Sequence, residues 1–437
     1  MINMTVAEIL WSINGEIVFC KCNSMFRLIY GVAIDSRTVK SNDLFIPLKG
    51  SKYDGHSFLL DAFIAGAAAA VVDKNKWSLY RNVLLEQKII YDRVIIAVND
   101  PLLALQKLAE IYLRQFKDLI KIAVTGSNGK TTTRNIIASI FSQNYSTYQP
   151  RQNYNSEIGV PLAIFEIKKF HRIAVLEFGI DHPGEMEVLS AMVRPDHAVI
   201  TNVGTAHIGS FKTKEIISRE KGKVVKYLKS EGRVFIPESE ELLSTERLPL
   251  PNKAEVIIFG PKKTAGYEGC EVLGLDGTII HWEGLQIHFP LIARHNLINA
   301  LSAISVARSL GVSKHEIKQG LERVSHVSGR SEVIHKRITI FNDSYNANPE
   351  AMKATIEFFS KTQAKNRILA VLGSMLELGE ESENAHIALS TVIKLSAFSV
   401  IFLFGDQIKI TAKKLDDKGF GKLVFWTNDF FKLRDEI

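Results

Sequence analysis

Two glycines, a lysine and two threonines at fixed spacing are the first residues in this chain that could do chemistry. Gly126-Ser127-Asn128-Gly129-Lys130-Thr131-Thr132 follows the apolar run Ile122-Ala123-Val124-Thr125 and leads into a helical pattern from Asn135 to Phe141. A strand, a small polar loop and a helix N-terminus gather backbone N–H groups and the positive end of a helix dipole around a phosphate. Gly126 and Gly129 let the backbone turn tightly and approach an anion closely. Lys130 can reach the outer phosphates as a point charge, and the Thr131 hydroxyl can sit on a magnesium ion. The spacing is G-x-x-G-K-T, with Val124 where the longer phosphate-loop pattern has its first glycine. The expectation is a nucleotide phosphate site; the plainer alternative is a glycine-rich strand-to-helix turn that binds nothing.

Two more side chains fall where such a site would use them. Glu177 closes the apolar strand Ile173 to Phe178, and a carboxylate at a buried strand end needs a cation or a hydrogen-bond network. A magnesium ion at Thr131 would supply it. His207, in Thr201-Asn202-Val203-Gly204-Thr205-Ala206-His207, comes just after the next strand. Alone it reads as a structural histidine; its place beside Glu177 favours a ligand.

The elements that must position these groups alternate regularly. A helix over Leu102 to Phe116, opened by Asn99-Asp100-Pro101, leads into the phosphate-loop strand. Helices over Pro183 to Val193 and Thr213 to Lys229 alternate with strands at Ile173 to Phe178 and Ala198 to Val203. That rhythm predicts a mostly parallel sheet with helices on both faces and ligands beyond the carboxyl ends of the strands. Residues 254 to 290 read as an antiparallel edge, with strands at Val256–Phe259, Thr278–Trp282 and Gln286–Phe289; helices at His295–Leu310 and Lys314–Arg323 follow. Before this region, residues 1–98 form a small α/β unit, with a helix from Phe58 to Ala70 packed on Val71-Val72-Asp73. After it, strands at Thr339–Phe341, Ile368–Leu372 and Ser399–Phe404 alternate with helices in a third α/β domain. The expected division is 1–98, 99–326 and 327–437.

At 437 residues the chain is long enough for several domains, and 46% hydrophobic with 23% charged residues is a globular composition. The net charge of +7 is scattered rather than striped. An anionic small substrate accounts for it, and no nucleic-acid partner is expected. Cys20, Cys22 and Cys270 cannot build a disulfide framework and lack zinc spacing, so they are expected to be buried or idle thiols in a reducing compartment. With no signal core and no membrane-length apolar run, a cytoplasmic protein without membrane insertion is expected.

Taken together these residues resemble the Mur ligases of peptidoglycan synthesis. The likeness is carried by Thr125-Gly126-x-x-Gly129-Lys130-Thr131-Thr132, Asn153-x-Asn155-x-Glu157-Ile158-Gly159-Val160-Pro161, Glu177-Phe178-Gly179, Thr201-Asn202 with Ala206-His207, Arg294-His295-Asn296-x-x-Asn299-Ala300, and Gly329-Arg330. Within the family, Pro183-Gly184-Glu185, Asp343-Ser344-Tyr345-Asn346-Ala347-Asn348-Pro349 and Val371-Leu372-Gly373-x-Met375-Leu376-Glu377-Leu378-Gly379 are similar to the member that adds D-alanyl-D-alanine.

The resemblance implies three domains: an N-terminal UDP-sugar-binding domain, a central phosphate-loop ATP-binding domain and a C-terminal Rossmann-like ligase domain. It implies an ATP-dependent peptide ligase joining D-alanyl-D-alanine to UDP-N-acetylmuramoyl-tripeptide through an acyl phosphate, acting as a monomer with two magnesium ions. Thr131 and Glu177 would hold the first ion. His207 would help hold the second, with Lys221 as the family's carbamoylated lysine. Lys130 and Arg330 would offset charge on the transferring phosphoryl group. Asn296 and Asn299 would contact adenine, Asp343 the ribose, Ser36, Arg37, Asn153 and Asn155 the UDP-sugar end, and Asn346 and Asn348 the incoming dipeptide.

The sequence departs from the family at Ser374, usually aspartate, at Lys223, usually glutamate, and at Pro237-Glu238-Ser239-Glu240. It also stops at Ile437, ahead of a further family strand, so the third domain is expected to be one strand short. The alternatives are the sister ligase that adds a diamino acid, folylpolyglutamate synthetase, and a non-catalytic member of the fold.

Overall fold

The computed structural model describes residues 2–20, 24–50, 52–87, 89–151, 153–361, 367–416 and 421–437; Cys22 lies outside them. The chain resolves into two compact units, one of Met1–Lys121, Tyr148–Leu176 and Ala191–Arg194, the other of Ile122–Thr147, Glu177–Ser190 and Pro195–Ile437.

The first unit is built on a five-stranded sheet with Glu16–Cys20 at one edge, then Val94–Val98, Ala69–Asp73, Asp43–Phe45 and Gly31–Ala33. The edge strand runs antiparallel to Val94–Val98 and the other neighbours are parallel. Ala67 to Val72 are fully buried. The helix expected over Phe58 to Ala70 stops at Ile64, and the strand has begun by Ala69. Alanine favours a helix locally, but a strand covered on both faces has room for little else beneath its helices. Helix starts are capped as their sequences suggest. Asp100 accepts from Leu102 N–H ahead of Pro101, and Thr5 forms a capping box with Glu8.

In the second unit, Ile122–Thr125 pairs in parallel with His197–Ile200, which pairs with Arg233–Pro237, which pairs with Glu255–Phe259. This corrects the expected antiparallel edge: Glu255–Phe259 continues the parallel sheet. The antiparallel sheet is a separate one, Tyr267–Val272, Thr278–Trp282 and Leu285–Phe289. A short apolar run looks the same in either setting. The helix Lys130–Phe141 buries Ile136, Ile137, Ile140 and Phe141, and the almost wholly buried helix Arg294–Ser309 packs against it. Phe178 N–H donates to Val124 O at 2.8 Å, which sets Glu177 beside the phosphate-loop strand.

Residues beyond 327 lie in the same unit. Thr339–Asn342 forms an antiparallel hairpin with Glu332–His335 instead of joining the following sheet. That sheet is parallel, with Leu369–Gly373, Val400–Phe404 and Leu423–Thr427 in that order. Its apolar core runs from Met352 and Ile356 through Met375, Leu378 and Ile393 to Ile408, and Ile208 packs against it. No helix among the described residues is long and apolar enough to cross a membrane. Cys20 is half-buried and Cys270 exposed.

Candidate active site

The phosphate loop is held from both sides by its own unit. Ser127 N–H donates to Asn202 O and Asn128 N–H to Asn202 Oδ1, while Ser127 Oγ accepts from Gly204 N–H at 2.8 Å. Both glycines are obligatory. Gly126 has φ +147°, and a Cβ there would lie 1.9 Å from Thr201 Oγ1. Gly129 has φ +78°, and its Cβ would lie 2.6 Å from Asn299 Oδ1. The first backbone bond of the helix runs from Thr133 N–H to Gly129 O. The N–H groups of Lys130, Thr131 and Thr132 therefore lack intrahelical acceptors and form the donor set a phosphate takes.

Two amines converge on this loop. Lys130 Nζ donates to Gly126 O at 3.0 Å and Ser127 O at 3.2 Å. Lys221 Nζ, from the helix Lys214–Gly222, donates to the same Gly126 carbonyl at 3.0 Å. Sequence context alone makes Lys221 a solvated helical charge; here only 2% of it is exposed. Burial holds its ammonium well below the usual lysine range, and Lys130 pushes the same way. Burial also lowers Lys130, with Glu177 opposing and Arg330 adding to the shift. No ion pair among the described residues includes either lysine. Glu177 and Asp181 act on Lys130, and Asp181 and Glu220 on Lys221, through space and without direct pairing.

Glu177 is 1% exposed. Its Oε2 accepts from Thr131 Oγ1 at 2.8 Å and lies 3.4 Å from Arg134 Nη1. The two groups expected to share one magnesium ion thus meet at hydrogen-bond distance. Among the described residues no group of three or more His, Cys, Asp and Glu side chains is placed to hold a metal ion by itself, so an ion here would draw on the Thr131 hydroxyl and Glu177. His207 caps the short helix Ile208–Phe211 with φ +62°. Its Nδ1 lies 2.7 Å from Glu377 Oε2 and 3.4 Å from Asp181 Oδ1. An engaged Nδ1 leaves Nε2 as the ring's ligand atom.

Around the nucleotide candidates, buried polar atoms lack protein partners. Arg330 stacks on Tyr345 with its guanidinium 3.7 Å from the ring centroid, and its buried Nε has no hydrogen-bond partner. The same holds for Nδ1 of His295, whose imidazolium burial disfavours. Thr132 and Arg330 line a small hollow with Asn135, Leu291, Val324 and Val327. Asn296 and Asn299 are buried; Asn296 donates to Ile292 O and Asn299 to Asn296 Oδ1. Asp343 accepts from Ser331 N–H at 2.8 Å and from Thr355 Oγ1 at 3.2 Å. Orphaned donors and uncompensated cations beside a glycine loop suit an anionic ligand.

The four residues expected at the UDP-sugar end all fall in the first unit. Arg37 is exposed and doubly bonded to Asp35, with Nη2–Oδ2 at 2.6 Å; Ser36 is half-buried beside it. Asn155 Nδ2 donates to Asn153 Oδ1 at 3.3 Å. Of the two acceptor-loop asparagines, Asn346 is exposed and its Oδ1 accepts from Ala347 N–H. Asn348 is 5% exposed, and its carboxamide is taken up by Asn128. Asn348, expected from the sequence to contact the dipeptide, pairs with Asn128 in this structure. Sequence reasoning also passed over Asp181, Asn202, His295 and Glu377 as site residues. Asn202, His295 and Glu377 lie inside quoted motifs, which was the available signal.

Profiles of the Mur ligase middle domain, the Mur ligase glutamate ligase domain and the Mur ligase family catalytic domain match residues 124–307, 329–430 and 28–112. The UDP-N-acetylmuramoyl-tripeptide–D-alanyl-D-alanine ligase of Treponema pallidum is 34% identical over 389 residues, which is 88% of this chain and 83% of the relative. The chain belongs to the Mur ligase family. Its three-domain α/β fold is also that of solved family members. MurF from Acinetobacter baumannii superposes with a TM-score of 0.85 at 28% identity, covering 97% of this chain and 90% of that one. MurF ligase from Thermotoga maritima, solved in complex with ADP, superposes at 0.75 and 27% identity, covering 93% and 95%.

Proposed function

We propose that this Mur ligase joins D-alanyl-D-alanine to the terminal carboxylate of UDP-N-acetylmuramoyl-tripeptide at the expense of ATP. The observation that carries the reading is the likeness, across most of the chain, to a ligase of that specificity, together with a glycine loop on which two lysine side chains converge. The tripeptide carboxylate attacks the γ-phosphorus, the bond to the β-phosphate oxygen breaks, and ADP leaves an acyl phosphate. The unprotonated dipeptide amine adds to its carbonyl; the tetrahedral adduct loses phosphate, and the amine proton passes to solvent.

Bringing a carboxylate to a triphosphate gathers negative charge, which fixed cations must offset. Lys130 and Arg330 do so by direct charge, and the N-terminus of Lys130–Phe141 holds phosphate oxygens. Asn296 and Asn299 serve the adenine, Asp343 the ribose, and Asn346 the dipeptide. Ser36, Arg37, Asn153 and Asn155 serve the UDP-sugar. Thr131 with Glu177, and His207 with Lys221, would each hold a magnesium ion, which when bound adds positive charge to the phosphates.

Lys221 is suited to carbamoylation. Burial disfavours its ammonium, and the unprotonated amine can add through nitrogen to carbon dioxide, losing a proton and becoming an oxygen ligand for a hard cation. Labelled bicarbonate should give a carbamate carbon resonance that Lys221→Ala removes; retention of that resonance would assign it elsewhere. The ligase reading is tested by phosphate release with UDP-tripeptide, ATP and each candidate acceptor. Release with D-alanyl-D-alanine is expected, and a preference for a single diamino acid would overturn the choice of acceptor.

A further inference from the structure

The loop from Ser344 to Asn348, called the acceptor loop because Asn346 and Asn348 are expected to meet the dipeptide, is fastened to the phosphate loop by a side-chain amide pair 220 positions apart. Asn348 Nδ2 donates to Asn128 Oδ1 at 2.6 Å, and Asn128 Nδ2 donates back to Asn348 Oδ1 at 3.3 Å. The Asn128 N–H and C=O are both spent on the following strand end, since N–H donates to Asn202 Oδ1 and C=O accepts from Asn202 Nδ2 and Thr201 Oγ1. Its carboxamide is therefore the one part of Asn128 that reaches outward.

On the other side, Asn348 is locked in orientation. Its Oδ1 accepts from Ala351 N–H at 2.9 Å at the start of the helix Pro349–Lys361, so its NH2 must face away from the helix, toward Asn128. Two residues on, Glu350 makes a second connection: its Oε1 accepts from both the N–H and the hydroxyl of Thr205 at 3.0 Å. Thr205 belongs to the loop whose Gly204 bonds Ser127.

We propose that Asn348 is a positioning residue that seats the helix Pro349–Lys361 and the acceptor loop before it on the phosphate loop through Asn128, so that nucleotide in the loop sets the acceptor loop in place. The inference rests on the ligase reading above and gives Asn348 a role beyond contact with the dipeptide. A fixed Asn128 holds the start of the acceptor-domain helix in register with Lys130.

The test is a double-mutant cycle with Asn128→Ala and Asn348→Ser. Serine keeps a good helix cap but is too short to reach Asn128. Each single variant should lower kcat/KM for D-alanyl-D-alanine by roughly tenfold, the scale of a lost pair of part-buried hydrogen bonds. The double variant should be no worse than the weaker single, because both remove the same contact. Melting temperature in Asn348→Ser should stay near wild type.

A second measurement does not depend on the acceptor. Binding of a non-hydrolysable ATP analogue should slow amide exchange over residues 343–352 in wild type and leave it unchanged in either variant. Losses that multiply to about a hundredfold in the double variant, or analogue-induced protection that survives Asn128→Ala, would overturn the proposal. Should wild type release no phosphate with the dipeptide, the ligase reading fails while the exchange result still decides the coupling.

Discussion

Replacing Lys221 with methionine should make the protein more stable and inactive at once. Methionine matches the lysine stem in length and is apolar. It would occupy a site that is 2% exposed, where the ammonium has one hydrogen bond, to Gly126 O, and no carboxylate partner among the described residues. Losing that bond costs about 1 kcal/mol. Removing a cation held out of water, with Lys130 close enough to repel it, relieves a penalty of several kcal/mol. The balance is a gain of roughly 1–3 kcal/mol.

The assay is urea unfolding of the nucleotide-free protein in bicarbonate-free buffer at pH 7, where the amine is unmodified. The midpoint should rise with the slope unchanged. Ligation should fall by at least roughly 10²-fold, since the variant supplies neither charge nor a carbamate oxygen. A less stable Lys221→Met would show that the amine is satisfied by contacts other than those described. Undiminished turnover would remove Lys221 from the site.

Lys130→Ala should leave the fold intact and cut ATP-dependent phosphate release by roughly 10²–10³-fold; wild-type turnover would refute the phosphate-loop assignment. Gly129→Ala should weaken binding of an ATP analogue, measured by calorimetry, because φ +78° disfavours a Cβ by about 1–2 kcal/mol and Asn299 already fills its place; unchanged affinity would mean the loop yields. Burial pushes His197 down to about 4 against an ordinary 6.5, while its Nδ1 accepts from Arg233 N–H. Between those values the unfolded chain binds the extra proton, so this contribution, about 3 kcal/mol, is present above pH 6.5 and lost as pH falls toward 4. His197→Asn should flatten that part of the stability profile, and equal slopes in the two proteins would refute it.

The parts of the site legible in the sequence are those that a strand and its own carboxyl end define. An apolar run that stops at Gly126, at Glu177 or shortly before His207 announces both the element and the side chain it delivers. The same local logic failed where the partner is remote. Val256 to Phe259 gave no hint that Arg233–Pro237 lies beside it in parallel, and Ala67 to Ala70 pointed to a helix because the layers that bury it lie elsewhere in the chain. Leu423 to Thr427 is β-branched and aromatic enough to read as a strand, but the sheet it joins begins at Leu369, far back in the chain.

Side-chain duty was harder still to read than topology. Lys221 looks solvated in its helix and is buried. Asn348 looks free in its loop and is spent on Asn128. Backbone strain is another signal that composition hides. His207 and Glu377 are both non-glycine residues at φ +62°, a conformation that surrounding contacts must hold in place. Here the holding contacts are mutual: Glu377 O accepts from Gly209 N–H at 3.2 Å while its carboxylate meets the His207 ring at 2.7 Å. Two strained residues from segments 170 positions apart therefore fix one imidazole. The motifs around His207 and Glu377 bring both residues to notice, but the strain at each is visible only in the fold.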